Sequence, residues 1–164
     1  MLPKPRLGFF LGFLFCISLL VIAAWLQFGK GLEPCPLCIT QRAFVLVVGL
    51  VLLAAAWHNP NRLGRRIYAT LAGSLALLGS LVSARHVWLQ HLPKDEVPAC
   101  GPGLSYVLEH FPLTETLKVL VSGTGECSEI DWSFLGLSIP AWTWLAFLLL
   151  AGWALWNGWR DNTP

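Results

Sequence analysis

Cys35 and Cys38 are separated only by Pro36 and Leu37, and the pair stands immediately before one long apolar run, Ile39 to Trp57, and shortly after another, Leu7 to Phe28. Two thiols at this spacing close a small, exchangeable ring, the chemistry of a dithiol that takes up and passes on electron pairs. At a membrane surface such a pair is within reach of water-soluble thiol carriers and of lipid-soluble electron carriers. The motif points to electron transfer between the two phases.

Cys100 and Cys127 fall in the same outer region as Cys35 and Cys38. Four cysteines permit three pairings, and counting alone does not choose among them. The short spacing favours a Cys35–Cys38 ring, with Cys100–Cys127 closing the long loop between them. Two purely stabilising disulfides are the plainer use of such cysteines, but so short a ring constrains the unfolded chain very little. A tetrahedral zinc site would also take four thiols. However, Cys100 and Cys127 have 26 residues between them and form no second Cys-x-x-Cys, so no metal is expected. Haem attachment fits worse, because Ile39 follows Cys38 where a histidine would be needed. Cys16 lies inside an apolar run and reads as a small buried hydrophobe.

Several polar residues flank the thiols. Pro36 suits the first turn of a helix, which puts the start of the second span at or near Cys38, facing the positive end of the helix dipole. Arg42 follows four residues later on the same face, where its charge favours thiolate over thiol. Snorkelling to headgroups is the simpler role for Arg42, yet a cation here opposes the positive-inside bias. Arg85, His86 and His91 end the third apolar run on this side and could bind a carbonyl or carry a proton, with interfacial anchoring as the default. Gln27, just before the thiol loop, has the same ambiguity.

These residues must be positioned by a membrane framework. Of 164 residues, 55% are apolar and 12% charged. Four runs approach the roughly 20 residues needed to cross about 30 Å of hydrocarbon, namely 7–28, 39–57, 67–84 and 139–156. Lipid offers no partner for open backbone groups, so an all-α membrane protein with a four-transmembrane-helix bundle is predicted. The first run is longer than the apolar stretch of a signal peptide and is read as a retained span. Lys4, Arg6, Arg62, Arg65, Arg66 and Arg160 share one side, which makes both termini cytoplasmic. The thiol loop, 29–38, and a long acidic loop, 89–138, lie opposite, on the periplasmic side if the cell is a bacterium. Nothing basic and aromatic-interleaved indicates nucleic acid.

The long loop has its own organisation. Pro93, Pro98, Pro102, Gly101 and Gly103 keep the stretch around Cys100 extended and mobile, as docking into a partner requires. Leu113, Leu117, Leu120 and Val121 recur at helical spacing and predict a short membrane-surface helix. Gly123-Thr124-Gly125 then reads as a loose joint that lets Cys127 travel toward Cys35.

The stretch Pro34-Cys35-Pro36-Leu37-Cys38-Ile39, with Arg42 following, resembles the DsbB family of quinone-dependent disulfide generators. So do the four spans, the two cysteines in the second outer loop, and Trp132-Ser133-Phe134-Leu135-Gly136-Leu137 with Pro140. The resemblance implies a thiol:quinone oxidoreductase of the bacterial inner membrane. Cys100 would form a mixed disulfide with a periplasmic DsbA-like oxidase, releasing Cys127 to attack Cys35. Cys38, beside Arg42, would pass electrons to ubiquinone, with menaquinone as the alternative, through a thiolate–quinone charge-transfer complex. A histidine near the quinone is implied as well, and spacing leaves His86 and His91 undecided. A vitamin K epoxide reductase-like enzyme is the competing enzymatic reading, less well matched by a Cys-x-x-Cys between spans one and two. A membrane protein that binds metal through four reduced cysteines is the non-enzymatic one.

Overall fold

A computed structural model describes residues 5–93, 95–97, 112, 114, 119–120, 122–130 and 132–160. Its long helices are α1 (Pro5–Lys30), α2 (Pro36–His58), α3 (Arg62–Leu89) and α4 (Ile139–Trp159). All four are long and apolar enough to cross a membrane, so the chain is a multi-pass, all-α membrane protein as its hydropathy predicts. Each helix reaches beyond its expected span at one or both ends. Hydropathy marks contact with lipid, whereas a helix continues as long as its hydrogen bonds and caps allow. Thus α3 begins at Arg62 because the Asn61 side chain accepts the Gly64 N–H at 3.0 Å. It runs on through Arg85 and His86 to Leu89.

The helices pack in chain order, α1 on α2, α2 on α3 and α3 most extensively on α4, with α1 meeting α4 to close the ring. Close approach comes from small residues. Ala69, Ala72 and Ala76 of α3 are fully buried, and a Cβ on Gly79 would overlap the Phe147 ring of α4. Cys16 is fully buried in this core, against Gly49 of α2, as a small hydrophobe would be. The outward faces carry exposed apolar side chains, among them Leu14, Val21, Leu50, Leu81 and Leu149. Lipid is the solvent that makes such faces stable.

Polar ties gather at the end away from the thiols. Trp153 Nε1 donates to Gly8 O and Asn157 Nδ2 to Pro5 O, each at 2.9 Å. Arg65 donates to Gly158 O at 3.2 Å and to Arg160 O at 3.1 Å. Arg66 and Arg160 stand over the rings of Trp159 and Trp156, the pairing of cation and aromatic expected at a headgroup boundary.

Before α4 the chain forms a small antiparallel hairpin of β1 (Ser133–Phe134) and β2 (Leu137–Ser138). Leu135 and Gly136 both have positive φ, 52° and 79°, the conformation of a two-residue hairpin turn. Trp132 stacks on Phe134, and Trp142 Nε1 donates to Phe134 O at 3.1 Å. Ser138 Oγ reaches Gln90 Oε1 at 2.7 Å, which ties the hairpin to the end of α3.

Candidate redox site

Helix α2 starts three residues earlier than the hydropathy profile sets it, at Pro36 rather than Ile39. Cys35 is its N-cap residue, with extended backbone (φ −68°, ψ 166°), and Pro36 enters the first turn. Cys35 therefore stands at the helix mouth and Cys38 one turn inside. Leu37, between them, is fully buried and packs with Leu89 and Cys127.

Cys127 arrives from the second loop on a single 3₁₀ turn, Gly125–Ser128, and is 1% exposed. Gly123, with φ of 79°, makes this approach: a Cβ there would lie 2.8 Å from Leu37 Cδ1 and 2.9 Å from Leu89 Cδ1. The stretch 123–125 is buried. This corrects the expectation of a loose joint, because Gly123 serves close contact rather than freedom. Thr40 Oγ1 of α2 also donates to Leu120 O at 2.9 Å, and Arg85 Nε donates to Ser122 O at 3.0 Å, so the segment is held from two helices. Cys100 and most of the expected surface helix, including Leu113, Leu117 and Val121, lie outside the described residues.

The sulfurs meet a histidine. Cys35 Sγ stands 3.8 Å from His86 Nε2, and His86 Nδ1 stands 3.1 Å from Gln41 Nε2. His86 and Gln41 are 2% and 3% exposed, so two polar side chains are buried in order to face one another. Cys35 Sγ, a His86 ring nitrogen and Cys127 Sγ all lie within 4.8 Å of one another. Cys35 also interacts with Cys38. The hydrogen bond that Cys127 shares with Cys35 holds its thiol well above the ordinary thiol range. Burial and the proximity of Cys35 push the same way, while the Leu37 and Thr124 backbone N–H groups oppose them.

Cys35, Cys38 and Cys127 carry free thiols. Among the described residues no Cys35–Cys38 bond is formed, and the expected Cys100–Cys127 pairing involves a residue outside them. Cys35 interacts with both other sulfurs. A small cleft opens beside the cluster, lined by Cys35, Cys38 and His86, by the carboxylates of Glu33, Glu126 and Glu129, and by Trp132 and Ile139.

Arg42 is half-buried on the α1 side of α2. Its guanidinium donates to Gln27 Oε1 and to Ala23 O, the latter at 3.2 Å. Gln27 thus joins Arg42 rather than the thiols. The two histidines separate cleanly: His86 is at the sulfurs, whereas exposed His91 bonds back to Val87 O at 2.8 Å. Arg85 is exposed, lies over the Trp88 ring and braces Ser122 without entering the cluster. Gln41 is the site residue that sequence reasoning passed over. Its signal was a lone carboxamide in the first turns of an apolar helix, beside Arg42.

Comparison with known proteins gives a consistent result. A family model described as Disulfide bond formation protein DsbB matches residues 5–157. A Disulfide bond formation protein B from Methylococcus capsulatus is 58% identical over 159 residues, covering 97% of each chain. One from Nitrosococcus oceani is 55% identical over 152 residues, 93% of this chain and 90% of that protein. A third, from Saccharophagus degradans, is 51% identical over 159 residues, 97% and 96% of the two chains. No solved structure matches.

Proposed function

The chain belongs to the DsbB family of disulfide bond formation proteins, and from that premise we propose that it is a thiol:quinone oxidoreductase that reoxidises a DsbA-like dithiol protein. The single observation that carries the reading is the meeting of Cys35 with Cys38, Cys127 and His86 at the mouth of a membrane bundle. In this reading the loops holding the thiols are periplasmic, both termini are cytoplasmic, and the protein sits in the bacterial inner membrane. The basic ends of α1, α3 and α4 support that orientation.

The exchange runs through the protein's own sulfurs. A partner thiolate attacks Cys100 of a Cys100–Cys127 disulfide, forming a mixed disulfide and releasing Cys127. The Cys127 thiolate attacks Cys35 of the Cys35–Cys38 disulfide, and Cys38 leaves as thiolate. A second partner thiol then resolves the mixed disulfide and frees Cys100, which attacks Cys127 of the Cys127–Cys35 bond, restoring Cys100–Cys127 and leaving Cys35 and Cys38 as the reduced pair. With the Gln41 carboxamide turned so that its oxygen accepts from His86 Nδ1–H, His86 Nε2, facing Cys35, takes or returns the proton as Cys35 moves between thiol and disulfide. The chain from Cys35 through His86 to Gln41 follows the logic of a nucleophile, a base and an orienting amide.

Quinone, when bound, accepts the pair of electrons and two protons that the partner's dithiol gives up. Ubiquinone is the proposed form, with menaquinone as the alternative. Arg42 and Gln27 are suited to its carbonyl groups: the guanidinium is half-buried near the edge of the bundle and has N–H donors beyond those used on Gln27 and Ala23.

A thiol count on the reduced, purified protein before and after adding quinone tests the reading. Loss of paired thiols is expected. If every outer cysteine stays reduced, the oxidase reading fails.

A further inference from the structure

Two sulfurs and an imidazole nitrogen lie together at the end of α3, under the cleft mouth. Cys35 Sγ, Cys127 Sγ and a His86 ring nitrogen are mutually within 4.8 Å, with Cys35 and His86 already at 3.8 Å. Tetrahedral zinc with bonds of about 2.3 Å to sulfur and 2.0 Å to nitrogen holds its ligand atoms about 3.5–3.8 Å apart. Contraction by less than a bond length would complete three corners of such a site. Both cysteines are free thiols, the form a soft-ligand metal takes up. Two of the three ligands, Cys35 and His86, line the cleft, and Cys127 is buried behind them.

A second observation concerns the approach. Glu33, Glu126 and Glu129 line that cleft and are exposed. Three carboxylates around a narrow mouth raise the local concentration of cations. Gln41 supplies the outer support. A metal on His86 Nε2 leaves the proton on Nδ1, and a half-turn of the Gln41 carboxamide presents its oxygen to that N–H.

We propose that the reduced protein binds one thiophilic divalent cation, such as zinc, through Cys35 Sγ, Cys127 Sγ and His86 Nε2, and that the bound ion stops internal thiol exchange. Binding releases one proton from each thiol and transfers no electrons. The ion is a reversible inhibitor that holds both sulfurs of the exchange, and oxidation of those sulfurs expels it. The inhibition rests on the thiol-exchange reading given above; the binding does not.

The test uses the full chain in detergent, reduced and freed of reductant, titrated with zinc against a chromophoric chelator. Cobalt titration reports thiolate ligation by its charge-transfer absorbance. One ion per reduced chain is expected, and none after oxidation. His86→Ala and Cys127→Ser should each weaken zinc binding by at least about tenfold, since even outer-shell losses cost that much. His86→Cys should restore binding with stronger thiolate absorbance, which separates a lost ligand from a misfolded chain. A variant with Cys38→Ser and Cys100→Ser should bind as before. Failure of the reduced chain to bind, undiminished binding in His86→Ala, or loss of binding in the Cys38/Cys100 variant would overturn the site. Full-rate exchange between Cys35 and Cys127 with zinc bound would overturn the inhibition. Because binding is read without quinone, a protein inactive toward quinone leaves this result intact.

Discussion

Gly123 presses on Leu37: a Cβ at residue 123 would come within 2.8 Å of Leu37 Cδ1. Leu37 sits between the two thiols of α2, and Gly123 lies just ahead of the turn bearing Cys127. Together with the bonds from Thr40 and Arg85, this contact seats the second loop's sulfur against the first loop's pair.

Gly123→Ala should therefore cost about 2–4 kcal/mol in stability, from positive φ plus overpacking. Thiol exchange between Cys127 and Cys35 should slow markedly. Gly136 has the same φ of 79° but nothing within 4 Å of its would-be Cβ. Gly136→Ala should cost only about 1 kcal/mol, with exchange unchanged. Thermal melts and exchange rates of the two variants make the comparison, and equal slowing would show that backbone strain, not the Leu37 contact, is responsible.

Cys127 should be a reluctant thiolate. Its hydrogen bond with Cys35 and its burial keep it protonated above the ordinary thiol range, so alkylation should go on rising past about pH 8.5 without levelling off. A group with a raised folded-state value stabilises the fold below its unfolded value and loses that contribution as pH climbs. Hydrogen-exchange protection of residues 123–128 should hold steady below about pH 8 and fall above it. A plateau in alkylation near pH 8.5 would contradict the buried, bonded thiol.

Arg42→Ala should raise the apparent KM for quinone by at least about tenfold, the loss of one charge-assisted hydrogen bond. Gln27→Ala, which removes only the guanidinium's partner, should raise it less. Steady-state quinone reduction decides this, and an unchanged KM in Arg42→Ala would return that residue to headgroup anchoring.

His86→Ala should slow the Cys35 exchange step by about 10²–10³-fold while leaving the KM for quinone nearly unchanged. His91→Ala should do neither, since His91 faces away and bonds to Val87 O. The reverse pattern, a large KM effect with intact exchange, would place His86 with the quinone instead.

Cys100→Ala should abolish the mixed disulfide with a DsbA-like partner and leave Cys35–Cys38 oxidisable by quinone. Retained partner cross-linking would remove Cys100 from its docking role.

The spans were legible because length and apolarity alone decide whether a helix can cross lipid, and the Cys35–Cys38 pair was legible because its chemistry is local. Gly123 reads as a loose joint in the sequence for a physical reason. Glycine gives looseness and close contact alike, and only the distant Leu37 and Leu89 decide which applies. Gln41 escaped notice because a carboxamide in an apolar run becomes meaningful only once α3 brings His86 to it. The hairpin at 133–138 was hidden by its turn, Leu135-Gly136, where an apolar residue occupies a position usually held by asparagine or aspartate.

At the end remote from the sulfurs, Trp153, Asn157 and Arg65 each donate a hydrogen bond to a backbone carbonyl at another helix end or on the chain just beyond it. Toward the opposite end Arg42 ties α2 to α1 through Ala23 and Gln27 by side chain, so the bundle is fastened near both mouths, like a cask hooped at each end.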